Sequence, residues 1–238
     1  MLQKVNIHDW GLIGYEEAWK KQESLMAINL EEKAKSRLDN DTPNPLDVPT
    51  THHLIFCEHP PVYTLGKNGK MDHVLISNHE MEERGIGFFQ TNRGGDITFH
   101  GPEQIVGYPI LDLEKLKTDI GWYLRNLEEV IIQTIAEFGI KGERSTGETG
   151  VWIDAENIMK ARKICAMGVR CSRWVTMHGF ALNVNTDLSY FNHIIPCGIQ
   201  HKQVTSIEKE TGKKISVLEV KEILTKKFEE IFEVSVVK

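Results

Sequence analysis

The sequence predicts an α+β fold, a mostly antiparallel sheet flanked by helices in a single domain over 1–238. Three observations carry that reading. Apolar residues recur at helical spacing in three separate stretches; they alternate at strand spacing from Gly150 to Val184; and 40% of the 238 residues are apolar, enough for one sizeable core.

Tyr15, Ala18, Trp19, Leu25, Met26 and Leu30 follow helical spacing with charges between them, which reads as an amphipathic helix packed on a sheet. Pro43, Pro45 and Pro49 lie among turn formers and exclude regular structure, so 38–50 reads as an inserted surface loop. His52 to His59 reads as a buried strand around Leu54-Ile55-Phe56, stopped by Pro60-Pro61, and Val62 to Gly66 resumes extended structure before a polar Gly-Lys turn. Leu124, Leu127, Ile131, Ile135 and Phe138 stripe a helix from Trp122 to Phe138, closed by Gly139 at C′.

Val151-Trp152-Ile153, Lys163 to Val169 and Trp174 to Val184 read as strands, the last two joined by a turn through Arg170 to Arg173. Ser216 and Glu219 have capping-box spacing, Ile215 and Val220 can staple the helix start, and Val217, Val220, Leu224, Phe228 and Ile231 form its apolar stripe. Residues 208–238 thus read as a C-terminal helical segment.

A net charge of −6 argues against general affinity for nucleic acid, which needs a basic footprint. No window approaches a membrane span and the N-terminus lacks an apolar run, so the expectation is a soluble, cytoplasmic protein without a membrane partner. Cysteines at 57, 165, 171 and 197 include no Cys-x-x-Cys pair, and no metal is expected.

Two segments carry the functional signal. Arg93-Gly94-Gly95-Asp96-Ile97-Thr98-Phe99-His100-Gly101-Pro102 offers adjacent glycines, which suit either a turn or a cradle whose N–H groups meet an anion or a thioester carbonyl. Pro196-Cys197-Gly198 sets a thiol in a tight bend, where it can point outward. A free thiol is mostly protonated at neutral pH and needs a histidine or a cation as helper. Lys163 opens a strand of small and apolar residues and is a candidate; it also reads as an edge-strand lysine reaching water. Cys165, two residues along, is a rival nucleophile if both face one side of the strand. Gly94, Gly95, Ala166, Gly168, Gly179 and Ala181 are small enough to leave an acyl-sized groove walled by Met167, Phe99 and Phe180. His100 and His178 are each either orienting or proton-shuttling groups there, or structural histidines.

Arg-Gly-Gly-x-x-Thr-Phe-His-Gly-Pro-x-Gln, followed by Val106-Gly107-Tyr108-Pro109, resembles the signature of the lipoyl(octanoyl) transferase family. Glu58 to Gly66, Gly150-Val151-Trp152, Lys163 to Gly168, His178 to Asn183 and Pro196 to Ile199 resemble further blocks of that family, in its order. The resemblance implies a fold similar to the catalytic domain of biotin and lipoate protein ligases. It also implies a dyad in which Cys197 accepts the acyl group and Lys163 lowers its pKa, with substrate contacts from Arg93, Gly94, Gly95, Asp96, Ile97, Thr98, Phe99, His100, Ala166, Met167, Gly168, Gly179, Phe180 and Ala181.

The implied reaction moves an octanoyl group from octanoyl-acyl carrier protein to a lysine of apo lipoyl domains, those of 2-oxoacid dehydrogenase complexes and the glycine cleavage H protein. No cofactor is implied, because the thioester is already activated. Lys67, Lys70, Arg93, Arg162, Arg170 and Arg173 are candidates to steer such acidic domains. Two other readings stay open: an ATP-dependent lipoate or biotin ligase, and a non-catalytic acyl- or carrier-protein-binding module. Glu103 stands where the family commonly has glycine, and Cys165 where it has alanine.

Overall fold

A computed structural model of the chain describes residues 2–39, 42–157, 159–195 and 203–238. The chain enters through β1 (Gln3–Leu12), a strand the sequence reading did not anticipate, and α1 (Tyr15–Asp39). α1 outlasts its apolar stripe because polar contacts hold its last turns. Asn29 exchanges two 2.8 Å hydrogen bonds with the Thr51 backbone, and the buried Lys33 ammonium lies 2.6 Å from Asp112 and 2.9 Å from Glu114. The loop at 38–50 is less irregular than its prolines suggest: Pro45–Asp47 forms a 3-10 turn capped by Asn44, since the fixed φ of proline suits a first helical position. Thr50 then anchors its end by donating to Asp112.

β2 (His52–Glu58) and β3 (Val62–Leu65) follow as anticipated, then α2 (Asn78–Glu83), β4 (Gly87–Gln90), β5 (Ile97–His100) and β6 (Gln104–Ile110). α3 (Ile120–Ala136) starts two residues before its predicted limit because Asp119 caps it, accepting from Trp122 N at 3.0 Å. Gly139, at φ +75°, closes it as C′: its N–H reaches Ala136 O while Ile140 N–H reaches Ile135 O, the paired bonds of a Schellman motif.

β7 (Glu143–Ser145), β8 (Glu148–Ile153), β9 (Arg162–Ser172) and β10 (Val175–Asn183) form a meander. The β9–β10 turn is tighter than predicted, only Arg173 and Trp174, both at positive φ as a two-residue hairpin demands. β11 (Gln203–Val204), α4 (Ile207–Thr211), α5 (Val217–Phe232) and β12 (Val234–Val237) complete the chain. Ser216 caps α5 by accepting from Glu219 N, whereas the complete two-way box forms at Ser77 and Glu80. The stripe is shifted toward Phe232, with Val217 and Ile231 only partly buried. The C-terminal segment is also not wholly helical: β12 returns to pair in parallel with β1.

The large sheet has the order β12-β1-β2-β6-β10-β9-β8-β7, with β11 on β9. Its centre is antiparallel as expected, but the β12–β1, β1–β2 and β11–β9 pairs are parallel, so the sheet is mixed. α3 and α5 cover one face through Leu127, Ile131, Leu224 and Phe228 against Leu54, Ile105, Phe180 and Leu182. α1 covers the other through Ala18 and Met26 against Ile55, Val106, Met177 and Ala181. A second sheet, β4-β3-β5, has its own core of Tyr63, Leu65, Ile97, Phe99 and Phe191. Among the described residues no helix is long and apolar enough to cross a membrane.

The centre of the large sheet closes on glycine. A Cβ on Gly179 would lie 2.1 Å from Gly107 O and 2.7 Å from Pro109 Cδ, and one on Gly107 would enter the Phe180 ring. Gly179→Ala is therefore expected to cost about 1–3 kcal/mol, as overpacking does, measured as a lowered denaturant midpoint at constant slope.

Candidate active site

One buried side chain ties the small sheet to the Gly-Gly segment that meets the large one. Arg93, in the segment between β4 and β5, donates from Nη2 to Thr64 O at 2.6 Å and to Thr64 Oγ1 at 2.9 Å, both on β3, and from Nη1 to Gly94 O at 3.0 Å. Gly66, Gly95 and Gly168 crowd the same guanidinium: a Cβ on any of them would lie 3.0–3.4 Å from Nη1. Gly94 N–H donates to Val169 O at 2.9 Å, joining the Gly-Gly segment to β9. The glycine pair is thus both turn and wall, and the Gly94 N–H is already committed to β9.

Between these layers lies a cavity of about 630 Å³. Every residue from Arg93 to His100 lines it except Phe99, and so do Lys163, Ala166, Met167, Gly168, His178, Gly179, Phe180 and Ala181. Phe99 was expected as a wall, but its ring turns into the small sheet's core and stacks on Tyr190, with centroids 4.5 Å apart. Gly168 and Gly179 serve close backbone approach, to Gly94 O and Gly107 O, as much as groove width. Cys197 and the rest of 196–202 lie outside the described residues.

Lys163 is no edge-strand lysine. β9 runs between β8 and β10, and the side chain is buried, with Nζ 4.5 Å from the centroid of the Trp152 ring. A cation over an indole face gains about 0.5–2 kcal/mol, more as water is excluded. The register shifts between Val151↔Cys165 and Trp152↔Lys163, placing one extra residue on β9. Such a bulge breaks strict alternation. Lys163 therefore lines the cavity while Cys165 is fully buried in the core beneath α3, where burial pushes its thiol pKa up. That arrangement removes Cys165 as the rival nucleophile.

Both anticipated histidines line the cavity and are held neutral. His100 bonds Gln104 Oε1 through Nδ1 at 2.9 Å and Thr64 Oγ1 through Nε2 at 3.1 Å, and burial takes its pKa well below the usual value. His178 sits at φ +60°, where the ladder with β6 breaks: its N–H turns to Gln22 Oε1 on α1, and Nε2 meets Asn92 Oδ1 at 2.8 Å. Burial first, then Arg93 and Arg170, lower its pKa to about 3.

Sequence reasoning missed Tyr15, Tyr108, Asn183 and His73 as cavity residues. Tyr15 read only as helix packing, and His73 lies beyond the Gly-Lys turn in a stretch to which the sequence reading assigns no role. Of the expected steering cations, Arg93 is buried, and Arg162 is tied to Glu210 at 2.6 Å and to Asp154. Glu103 does not line the cavity; it makes the β5–β6 turn at φ +59°, a backbone that favours glycine, and pairs with Lys214 at 2.8 Å.

The family model for the lipoyl protein ligase A/B catalytic domain matches residues 15–229. Octanoyltransferases from Christiangramia forsetii and Cytophaga hutchinsonii are 53% and 52% identical to the chain, over 98% of it and 97% and 95% of their own lengths. The chain belongs to the octanoyltransferase family. It is accordingly an acyltransferase. The octanoyltransferase fold seen here is shared with a bi-partite lipoate protein ligase from Thermoplasma acidophilum (TM-score 0.67, 15% identity, 99% of this chain and 88% of that one). It is shared equally with a lipoate-protein ligase A bound with ATP (TM-score 0.67, 14% identity, 100% and 90%).

Arg93→Lys, which loses the forked contact to Thr64, is expected to cost about 1–3 kcal/mol and to lower amide-exchange protection in β3–β5 before β10. The pH dependence follows from burial of His52, His59 and His178, which lowers their pKa values to about 4, 4 and 3. Each is below the unfolded value of about 6.5, so the folded state binds fewer protons there. Their contribution is present above pH ~6.5 and lost as pH falls toward 3–4, on the order of 1–3 kcal/mol per ring, read from unfolding free energies across that window.

Proposed function

We propose that this protein transfers an octanoyl group from octanoyl-acyl carrier protein, in the cytoplasm, to a lysine of apo lipoyl domains, those of 2-oxoacid dehydrogenase complexes and the glycine cleavage H protein, through a Cys197 thioester. The observation that carries the reading is the surroundings of Lys163. Its ammonium lines the cavity, and the segments that bracket residues 196–202 are anchored to residues of that same lining: Val204 pairs with Lys163, and Ile195 N–H donates to His73 O at 2.9 Å.

In this reading a thiolate near Lys163 gains from its charge. At an effective dielectric of about 20, a unit charge about 4 Å away contributes roughly 4 kcal/mol, around three pKa units before solvent screening. The thiolate attacks the acyl thioester carbonyl, the carbon–sulfur bond to the carrier breaks, the carrier's thiolate departs and takes a proton from solvent, and the acyl group stays on Cys197. The walls that the cavity offers to the acyl chain are Met167, Ala181 and Phe180, on the strands between Lys163 and His178. The acceptor amine then displaces Cys197 and forms the amide. ATP has no part in it, which separates the reading from a ligase sharing the fold.

The test is intact mass after mixing with octanoyl-acyl carrier protein, without ATP. One octanoyl group on Cys197, absent in Cys197→Ala and discharged by an apo lipoyl domain, is the expected result. Lys163→Met is expected to slow its formation by about 10²-fold or more. Lipoylation only with free acid and ATP would instead favour the ligase, and acyl binding without turnover the binding module.

A further inference from the structure

The cavity holds about 630 Å³. An octanoyl group, at about 30 Å³ per water-sized group of atoms, takes up less than about half of that, so volume alone does not stop a longer chain. The two ends of the cavity differ in chemistry. At one end Val204 pairs with Lys163, and Asn183 Nδ2 donates to Thr205 O at 2.9 Å. At the other, His178 pairs with Val169, which lies 169 − 163 = 6 residues further along β9.

That second end is built from polar atoms. Tyr15, Trp19 and Gln22 share one face of α1, at i, i+4 and i+7. The Trp19 and His178 ring centroids are 6.2 Å apart, and Gln22 Oε1 accepts the His178 N–H at 3.1 Å, which leaves Gln22 Nε2 as a donor. Gln22 Nε2, Trp19 Nε1 and His178 Nδ1 are buried with no hydrogen-bond partner among the described residues. With His178 Nε2 on Asn92 Oδ1, the neutral ring carries its proton there and Nδ1 is an acceptor. The Tyr15 hydroxyl also has no such partner, although its ring is stacked on His100 with centroids 6.0 Å apart and lies 5.3 Å from Phe89. Burial keeps that hydroxyl protonated, its pKa pushed up to about 12. Tyr15 and His178 both line the cavity. Two donors, an acceptor and a hydroxyl suit water or another hydroxyl; a methylene offers them nothing.

We propose that Tyr15 and His178, backed by Trp19 and Gln22, form a polar end of the cavity that limits the length of the acyl chain. The inference rests on the reading above that puts the acyl carbonyl at the Lys163 end. Each further methylene buried gains about fourfold in affinity. A polar group stripped of water without a new partner costs about tenfold or more, so two such groups offset about three methylenes.

The test compares octanoyl with dodecanoyl chains. Binding of octanoyl- and dodecanoyl-pantetheine to Cys197→Ala protein is measured by calorimetry, and single-turnover acylation of Cys197 from the two acyl-acyl carrier proteins is followed by intact mass. Tyr15→Phe keeps the ring and its stacking but removes the hydroxyl. It is expected to shift both the binding ratio and the rate ratio toward dodecanoyl by about tenfold. Ratios unchanged within about twofold, or equal weakening at both lengths, overturn the proposal. So does a shift in Tyr15→Leu with none in Tyr15→Phe, which assigns the limit to bulk instead of polarity. If the unsubstituted protein forms no Cys197 adduct, the thioester reading fails, while the binding ratio in Cys197→Ala still decides whether the polar end limits the chain.

Discussion

The site depends on one buried guanidinium and the glycines that let backbone reach it. Arg93 binds the Thr64 carbonyl and hydroxyl on one sheet and the Gly94 carbonyl beside the other, and Gly66, Gly95 and Gly168 leave no Cβ in its way. A planar fork bonded to two carbonyl oxygens and a hydroxyl holds direction as well as distance, which a lysine ammonium does not. Because the small sheet and the Gly-Gly segment form one wall of the cavity, its shape is set by this contact more than by the apolar residues that line it. An arginine that composition invites one to aim at substrate is spent largely on the fold.

The chemistry of the cavity follows from how each ionisable group is buried. His59, His100 and His178 are taken out of water with hydrogen bonds that suit the neutral ring, so burial holds them uncharged through the physiological range. The Cys165 thiol, deep in the core, is held protonated by the same effect. Lys163 keeps an aromatic face beneath its ammonium, one of the few partners that stabilise a cation without neutralising it. His73 differs in having a carboxylate partner, Asp96 of the Gly-Gly segment.

Much of the architecture was legible because periodicity reports burial directly. The helices at Tyr15 and Trp122 bury one face against the large sheet, the strand at Leu54 and the β9–β10 hairpin lie within that sheet, and each shows in its run of apolar residues. β1, β5, β6 and β12 were not read out. β12 is four residues of edge strand whose partner lies more than two hundred residues away, and a local window holds no trace of such pairing. The same reason separates the stretches of α1: its first half follows an apolar stripe, while its second half is held by Asn29 and Lys33 reaching Thr51, Asp112 and Glu114.

The sequence by itself determined the residue types of the site and their order, since the Arg-Gly-Gly-Asp segment, Lys163 and the small residues of β9 and β10 stand in it as motifs. Only the tertiary structure decided which way each points. One extra residue in β9 separates Lys163 from Cys165, a positive φ at His178 breaks the β6 ladder, and sheet docking turns Phe99 inward and brings His73 to Asp96. Alternation along a strand is a local rule, and bulges and contacts between sheets are set by packing among residues far apart in the chain.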